Sequence, residues 1–383
     1  MRATERVHLR GMGISCALGQ GVGVCTAALE AGTVSTTPLT LPGLNEPVTM
    51  RYYRIPDAEP LFATERFDHL LAKTTREAVA AADLSRDEIE RLPLFFGSSC
   101  FSVEKSETKY QAELREGSRA ALTLPFVGFQ HTADAIRDEL GCAGETFAFN
   151  TACTASANAL MIAARMIRSG WCRHALVMGI ELANQTTLAG FTGLQLIAET
   201  LRPFDRRRSG IVLGEGVGAI VLSADPGASG LSLTAGASNG DSYSVTAANP
   251  DGSSIAAVQS AALRQAGLDA REIRGIKSHG TASPMNDTGE AAGILRVFPK
   301  PPPVCALKPY LGHTLGACGV TELILMAAAL ERGVFPATPG FEERDPSLDL
   351  SPAREASEAA AGEYLLNYFG FGGNNTSLLL HKA

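Results

Sequence analysis

Two stretches of this chain are apolar on nearly every side of a helix, and both follow tight turns of small residues. Thr154–Arg168 carries Ala155, Ala157, Leu160, Ile162, Ala164, Met166 and Ile167; the second stretch is Gly319–Leu330. A helix without a polar stripe lies inside a protein, not on its surface. Around these two, short strand-like runs alternate with helical ones from end to end, the pattern of an α/β fold with internal sheets. Strands are expected at Val7–Ile14, Leu92–Gly97, Thr146–Phe149, His174–Ile180 and Gly216–Ser223, with helices at Gly21–Ala31, Arg66–Ala82 and Ala133–Leu140. The turn-rich run Ser223–Gly230 reads as a joint between two halves, 1–225 and 226–383. The second half repeats the grammar: helix Ser254–Ala266, strand Ile273–Ser278, helix Thr288–Val297, strand Val304–Ala306 and a terminal strand Thr376–His381. Pro299–Pro303 reads as a stiff surface connector.

At 383 residues the chain is too long for one small core. Apolar residues at 45% and charged residues at 19% are ordinary for a globular protein. The net charge of −7 and the 6% aromatic content argue against a nucleic-acid binder, which needs a basic face. No apolar run approaches the roughly 18 residues that span a membrane. Met1–Arg6 leads into a strand-like run without the apolar core of a signal peptide, so the expected location is the cytoplasm. The eight cysteines (16, 25, 100, 142, 153, 172, 305 and 318) form no C-x-x-C pair and are expected to be free thiols. No Cys/His cluster has metal-ligand spacing, so no metal is expected.

The strongest chemical signal is Phe149-Asn150-Thr151-Ala152-Cys153-Thr154-Ala155-Ser156, in which a strand ends, small residues turn and a buried helix begins just after a cysteine. The positive end of a helix favours a thiolate, so a lowered thiol pKa is expected at Cys153. His279 ends a strand and heads His279-Gly280-Thr281, with Asn286, Asp287 and Glu290 close behind. His313 sits in a glycine-bounded loop, Gly312-His313-Thr314, ahead of the second buried helix. One cysteine and two histidines suit acyl chemistry: a nucleophile, and donors that polarise a thioester carbonyl. The glycines of Phe369-Gly370-Phe371-Gly372-Gly373 let backbone approach closely, either as part of an oxyanion hole or as a plain β-bulge. Two further matches read as chance. Gly214-Glu215-Gly216-Val217-Gly218 lacks the strand–loop–helix context of a phosphate loop, and Gly236-Ala237-Ser238-Asn239-Gly240 opens no helix as a serine elbow must.

Several separated motifs fall in one order along nearly the whole chain: Thr151-Ala152-Cys153, Arg202-Pro203-Phe204-Asp205 with Gly214-Glu215-Gly216, His279-Gly280-Thr281 with Asn286-Asp287, Lys308 with Gly312-His313, and Gly370-Phe371-Gly372-Gly373. Together they resemble the condensing enzymes, the β-ketoacyl-acyl-carrier-protein synthases of the elongating type. The resemblance implies a thiolase-like fold, two pseudo-repeated halves in αβαβα layers, and normally a dimer. It makes Cys153 the nucleophile that accepts an acyl chain, and His279 and His313 the pair that stabilises the enolate left when a malonyl thioester loses carbon dioxide. Lys308 and Glu322 would hold the network around His313, and Asp287 that around His279. The N–H groups of Cys153 and Phe371 would form the oxyanion hole, with Phe371 as a gate. No metal or soluble cofactor is implied, because the phosphopantetheine arrives on the acyl-carrier protein.

Some positions depart from the family's pattern. Gly97-Ser98-Ser99-Cys100-Phe101 replaces a more glycine-rich loop, Tyr368 stands where a small residue is usual, and Asn374 replaces a threonine. They point to a pocket for something other than an ordinary fatty acyl chain, such as a polyene. The acidic carrier protein calls for a basic patch, with Arg66, Arg206, Arg207 and Arg208 as candidates. Two rivals are a chain-length-factor-like partner subunit, which usually loses the cysteine, and a serine hydrolase built on Ser238.

Overall fold

A computed structural model of the chain describes residues 6–41, 47–63, 65–115 and 128–383. The reading of the first residues as lacking a leader therefore lies, for positions 1–5, outside the described residues.

One sheet of eleven strands runs through the molecule, and ten of its strands form two sets of five. The first set is β1 (Val7–Cys16), β2 (Leu94–Gly97), β3 (Thr146–Phe149), β4 (His174–Glu181) and β5 (Gly216–Ser223). The second is β6 (Leu231–Gly240), β7 (Ile273–Ser278), β8 (Val304–Ala306), β9 (Gly362–Gly370) and β10 (Asn374–Lys382). In space the first set is ordered β3-β2-β4-β5-β1 and the second β8-β7-β9-β10-β6, so both follow the order third, second, fourth, fifth, first. Directions match as well. In each set the second strand is parallel to the third and fourth, and the remaining neighbours are antiparallel. The sets join at β1 and β6 through only two residue pairs, Val7 with Leu233 and His8 with Ser232.

Helices complete five layers. α1 (Arg66–Ala82) and α2 (Phe129–Leu140) cover the outside of the first set, while α4 (Ser253–Ala266) and α5 (Pro284–Val297) cover the outside of the second. Between the sets lie the two apolar helices, α3 (Ala155–Arg168) and α6 (Cys318–Glu331). In α6 only Glu331 escapes burial. α3 is less enclosed than its composition suggests: Arg165 on one edge is exposed and donates to the carbonyl of Gly236. Hydrophobic clusters fill each interlayer space, the largest around α3 and α6. This is the thiolase-like architecture of two repeated halves.

Most expected elements appear within a residue or two. α5 starts earlier than expected, at Pro284, because proline is tolerated in a first helical turn whose N–H groups have no partner inside the helix. Strand β9, the hairpin Thr37–Leu41 with Val48–Tyr52, and the helices Val103–Arg115 and Gln185–Gly193 were not anticipated. The Gly214–Gly218 run is a turn into β5 and no phosphate loop. Glu215, fully buried, accepts from both terminal nitrogens of Arg66 at 2.5 and 2.6 Å and from the N–H groups of Ile55 and Ala183. Among the described residues no helix is long and apolar enough to cross a membrane.

The central helices cross with almost no side chain between them. A Cβ on Gly319 would stand 2.1 Å from the Ala157 nitrogen, and one on Gly97 2.1 Å from the Ser156 nitrogen. Such a clash involves backbone on both sides and cannot be relieved by a rotamer change. Gly319→Ala should therefore destabilise the fold by about 3 kcal/mol or more, read as a lower urea midpoint. The control is Gly23→Ala in the helix Val22–Glu30, where nothing lies within 4 Å of a new Cβ; its midpoint should hold or rise slightly.

Candidate active site

Cys153 sits where β3 hands over to α3. Ala152 takes a left-handed φ of +51°, strained for a residue with a Cβ, and this lifts Cys153 onto the short turn Ala152–Thr154. Polar side chains hold the turn from below. Thr154 Oγ1 donates to the Thr151 carbonyl at 2.7 Å, Asn158 Nδ2 to Thr151 Oγ1 at 2.9 Å, and Thr376 Oγ1 to Asn158 Oδ1 at 2.9 Å. The helix N-terminus does not give the expected lowered thiol. Burial pushes Cys153 up to about 11, while the Lys308 ammonium and the N–H groups of Phe371 and Cys153 itself pull the other way. The magnitudes explain the outcome: a helix end contributes up to about 2 kcal/mol, under two pKa units, whereas full desolvation moves a group by up to about 3–5 units.

His313 occupies the equivalent place in the second half, between β8 and α6. Its N–H donates to the Val212 carbonyl at 2.8 Å, and its own carbonyl accepts from Gly214 N–H at 3.1 Å. Its Nδ1 accepts from the Leu315 N–H at 3.3 Å, so the ring proton lies on Nε2. Buried Glu181 fastens this loop to the first half by accepting from Gly316 N–H, from the N–H and hydroxyl of Ser99, and from Cys100 N–H.

His279 follows β7. Its N–H and that of Gly280 donate to Glu290 at 2.7 and 2.8 Å, while Asp287 accepts from Thr281 and Phe204 N–H at 3.1 and 2.8 Å. Asp287 thus braces the neighbouring backbone, and Glu290 is the residue that holds His279. A second expectation is also corrected. Lys308 Nζ, bound to Glu322 Oε1 at 2.5 Å, lies 3.2 Å from Nδ1 of His279 and makes no hydrogen bond to His313. An ammonium can only donate, so His279 too carries its proton on Nε2. The two rings stand 5.4 Å apart, edge to face. Burial, reinforced by the charge of Lys308, holds both imidazoles far below the ordinary histidine range.

Cys153, His279 and His313 share one cavity, whose lining also includes Phe369, Gly370 and Phe371. Cys153 also borders a second cavity of about 280 Å³, walled mainly by Cys100, Gly190, Leu194 and Leu315. Phe371 and Phe191, stacked at 5.6 Å, line both spaces and separate them. Phe371 belongs to the tight turn Phe371–Gly373 between β9 and β10, so the glycine run is a hairpin turn and no bulge.

The expected basic patch dissolves. Arg66 is 1% exposed and committed to Glu215, and the side chain of Arg208, partly buried, is bound to Asp345. Arg206 and Arg207 are exposed but pair with Glu343 and Glu342, which cancel their field locally. Ser238 lies inside strand β6, paired with Thr376 on β10, and forms no elbow. Among the described residues no group of His, Cys, Asp and Glu could hold a metal ion. Sequence reasoning gave no role to Glu290, Glu181, Asn158 or Lys277. Only Glu290, three residues and one helical turn beyond Asp287, carried a signal.

Residues 50–228 match the family model described as "Beta-ketoacyl synthase, N-terminal domain", and residues 231–342 match "Beta-ketoacyl synthase, C-terminal domain". The chain belongs to the beta-ketoacyl synthase family. It is 30% identical over 323 residues to 3-oxoacyl-[acyl-carrier-protein] synthase 2 of Vibrio cholerae, covering 78% of each chain. It is 30% identical over 405 residues to Nodulation protein E of Rhizobium sp. strain N33, covering 99% of this chain and 100% of that one. Among solved structures, "The ishigamide ketosynthase/chain length factor" superposes with a TM-score of 0.86 at 29% identity and full coverage of both chains.

With burial holding its thiol up at about 11, Cys153 of this β-ketoacyl synthase should rest protonated at neutral pH. Its alkylation by iodoacetamide, followed by peptide mass spectrometry, should accelerate roughly tenfold per pH unit from pH 7 to 10. A rate that levels off near pH 7 would mean that the helix end and Lys308 outweigh burial after all.

Proposed function

We propose that the protein is an elongating ketosynthase: Cys153 takes an acyl group from an acyl-carrier protein and condenses it with malonyl-carrier protein, releasing carbon dioxide. One observation carries this reading. Cys153 stands between an almost wholly apolar space and a mixed one, and two imidazoles with their protons on Nε2 line the mixed side.

In the first half-reaction the sulfur of Cys153 adds to the acyl thioester carbonyl, and the oxyanion is received by the N–H groups of Cys153 and Phe371. The carrier's phosphopantetheine leaves as a thiol, taking the proton that Cys153 gives up. The chain lies in the apolar cavity beyond Phe371, which swings aside as a gate. In the second, the malonyl thioester enters the histidine-lined side with its carbonyl oxygen at the Nε2–H groups of His279 and His313. Loss of carbon dioxide leaves an enolate whose charge these donors stabilise. Its carbon attacks the acyl carbonyl on Cys153, and the Cys153 thiolate is released. Lys308 orients His279 through Nδ1 and draws the Cys153 thiol toward ionisation. No cofactor is required beyond the phosphopantetheine on the carrier.

The ishigamide relative is named as a ketosynthase with a chain length factor, and a dimer, homomeric or with such a subunit, is the assembly proposed here. This chain is the catalytic member, since a subunit that only shapes the pocket needs neither Cys153 nor the two histidines. The eight unpaired thiols suit a reducing compartment, and the cytoplasm is the proposed location.

The half-reactions should separate by residue. Loss of one positioned donor typically costs about 10²–10³-fold in rate. His279→Ala and His313→Ala should still form the acyl-enzyme, seen as a mass shift, yet release carbon dioxide from malonyl-carrier protein about 10²–10³ times more slowly. Cys153→Ala should lose loading and keep some decarboxylation. Normal decarboxylation with abolished loading in His279→Ala would make that histidine the base for the cysteine and overturn these roles.

A further inference from the structure

Beyond the cavity lining, three charged groups are packed out of reach of water: Lys277, Lys308 and Glu322 are each 0% exposed. Glu322 meets Lys308 through Oε1 and Lys277 through Oε2, so one carboxylate serves two ammoniums. Lys277 Nζ lies over the face of Tyr368, 3.6 Å from the ring centroid. The Tyr368 hydroxyl is buried without a hydrogen-bond partner, an arrangement that costs free energy. That ring is placed for its face, and the π face of an aromatic stabilises a desolvated cation. Tyr368 also stands where the sequence departs from the family's small residue.

Lys308 with Glu322 would be a neutral pair. Burial, with the neighbouring Lys308, pulls Lys277 below the ordinary lysine range, while Glu322 holds its proton in place; protonated, Lys277 adds a charge to the pair. Of the other titratable groups around the cluster, only Glu290 can offset that charge, and only in its ionised form. Cys318 on α6 and Cys305 on β8 are thiols that burial keeps protonated. Glu290 on α5 gives its oxygens to His279 and Gly280 N–H, and burial pushes it up to about 7. His279 and His313 face the cluster from their loops, and both lie close enough to feel the two lysines.

We propose that Lys277 is a positioning cation of the condensing site, holding a net positive charge behind His279 and His313 so that both rings stay unprotonated on Nδ1 and keep donating from Nε2. A proton on Nδ1 of His279 would oppose the Lys308 ammonium at 3.2 Å and break the hydrogen bond that orients the ring. The inference deepens the ketosynthase reading and rests on it for its consequence, although the charge itself can be tested without turnover.

The test follows the ring titrations of His279 and His313 by NMR of protein labelled with ¹³C at histidine Cε1, assigned by His279→Ala and His313→Ala, in wild type and Lys277→Met. Removing a nearby cation favours the protonated ring, so its pKa must rise. Wild type should show no titration of either ring from pH 8 down to 5.5, and in Lys277→Met the His279 transition should move up by about one unit, a tenfold change in protonation at fixed pH. The acid limb of carbon dioxide release should move up with it. Tyr368→Leu keeps both lysines and removes the ring face; it should shift the limb the same way but less, and it decides the matter if Lys277→Met does not fold. Identical titrations in wild type and whichever variant folds would make Lys277 a neutral filler and overturn the proposal. Wild type that releases no carbon dioxide at any pH would refute the ketosynthase reading, while the NMR comparison would still decide the role of Lys277.

Discussion

Where α6 passes α3, backbone meets backbone, and Gly319 against Ala157 leaves no room for a side chain. Both helices begin at that crossing, each shortly after a residue of the site: Cys153 two residues before α3, His313 five residues before α6. The repeat of five strands puts these two in equivalent positions of the two halves, and the close crossing turns equivalence into proximity. Two further contacts tie the helix starts together. The Cys318 thiol donates to the Cys153 carbonyl at 2.9 Å, and Val320 N–H donates to Ser156 Oγ at 3.2 Å. The third functional side chain, His279, comes from the end of β7 and is held against His313 by the buried cluster of Lys308 and Glu322.

Buried carboxylates fasten the rest. Glu181, Glu215, Asp287, Glu290 and Glu322 are at most 1% exposed, and each gives its oxygens to loop N–H groups or to buried cations. A buried charge is costly to desolvate, by several kcal/mol, so such groups persist where they satisfy donors that would otherwise be orphaned at about 1–3 kcal/mol each. The return is rigidity. Loops 98–100, 279–281 and 313–316 carry the reacting groups, and donors that need no reorganisation in the transition state are the ones that accelerate a reaction most.

The architecture was legible because its units are local. The two apolar helices, the alternation around them and the turn-rich joint are visible in the letters, and the strand–turn–helix around Cys153 marks the nucleophile. β9 was not, since Tyr364 to Phe369 beside glycines reads as loop until its neighbours β7 and β10 are in place. Partnerships across the chain were the weak point. Lys308 lies five residues before His313, and sequence proximity suggested that pairing, but its ammonium turns to His279. Asp287 seemed the natural brace for His279, yet Glu290, one helical turn further along α5, is the one that reaches. Arg66 read as a surface charge because nothing local announces Glu215, 149 residues away, as its partner. At Cys153 the helix end was legible and the desolvation opposing it was not, since burial is a property of the assembled fold.

The central claim is that Cys153 is the residue on which the growing chain waits, between its two cavities. The direct test is to incubate the protein with an acyl-carrier protein bearing an acyl thioester, quench, and locate the added mass by peptide mapping over all eight cysteines and Ser238. One acyl group per chain is expected, on Cys153 and on no other residue. An acyl group on Ser238 or on another cysteine, with Cys153 left free, would contradict it.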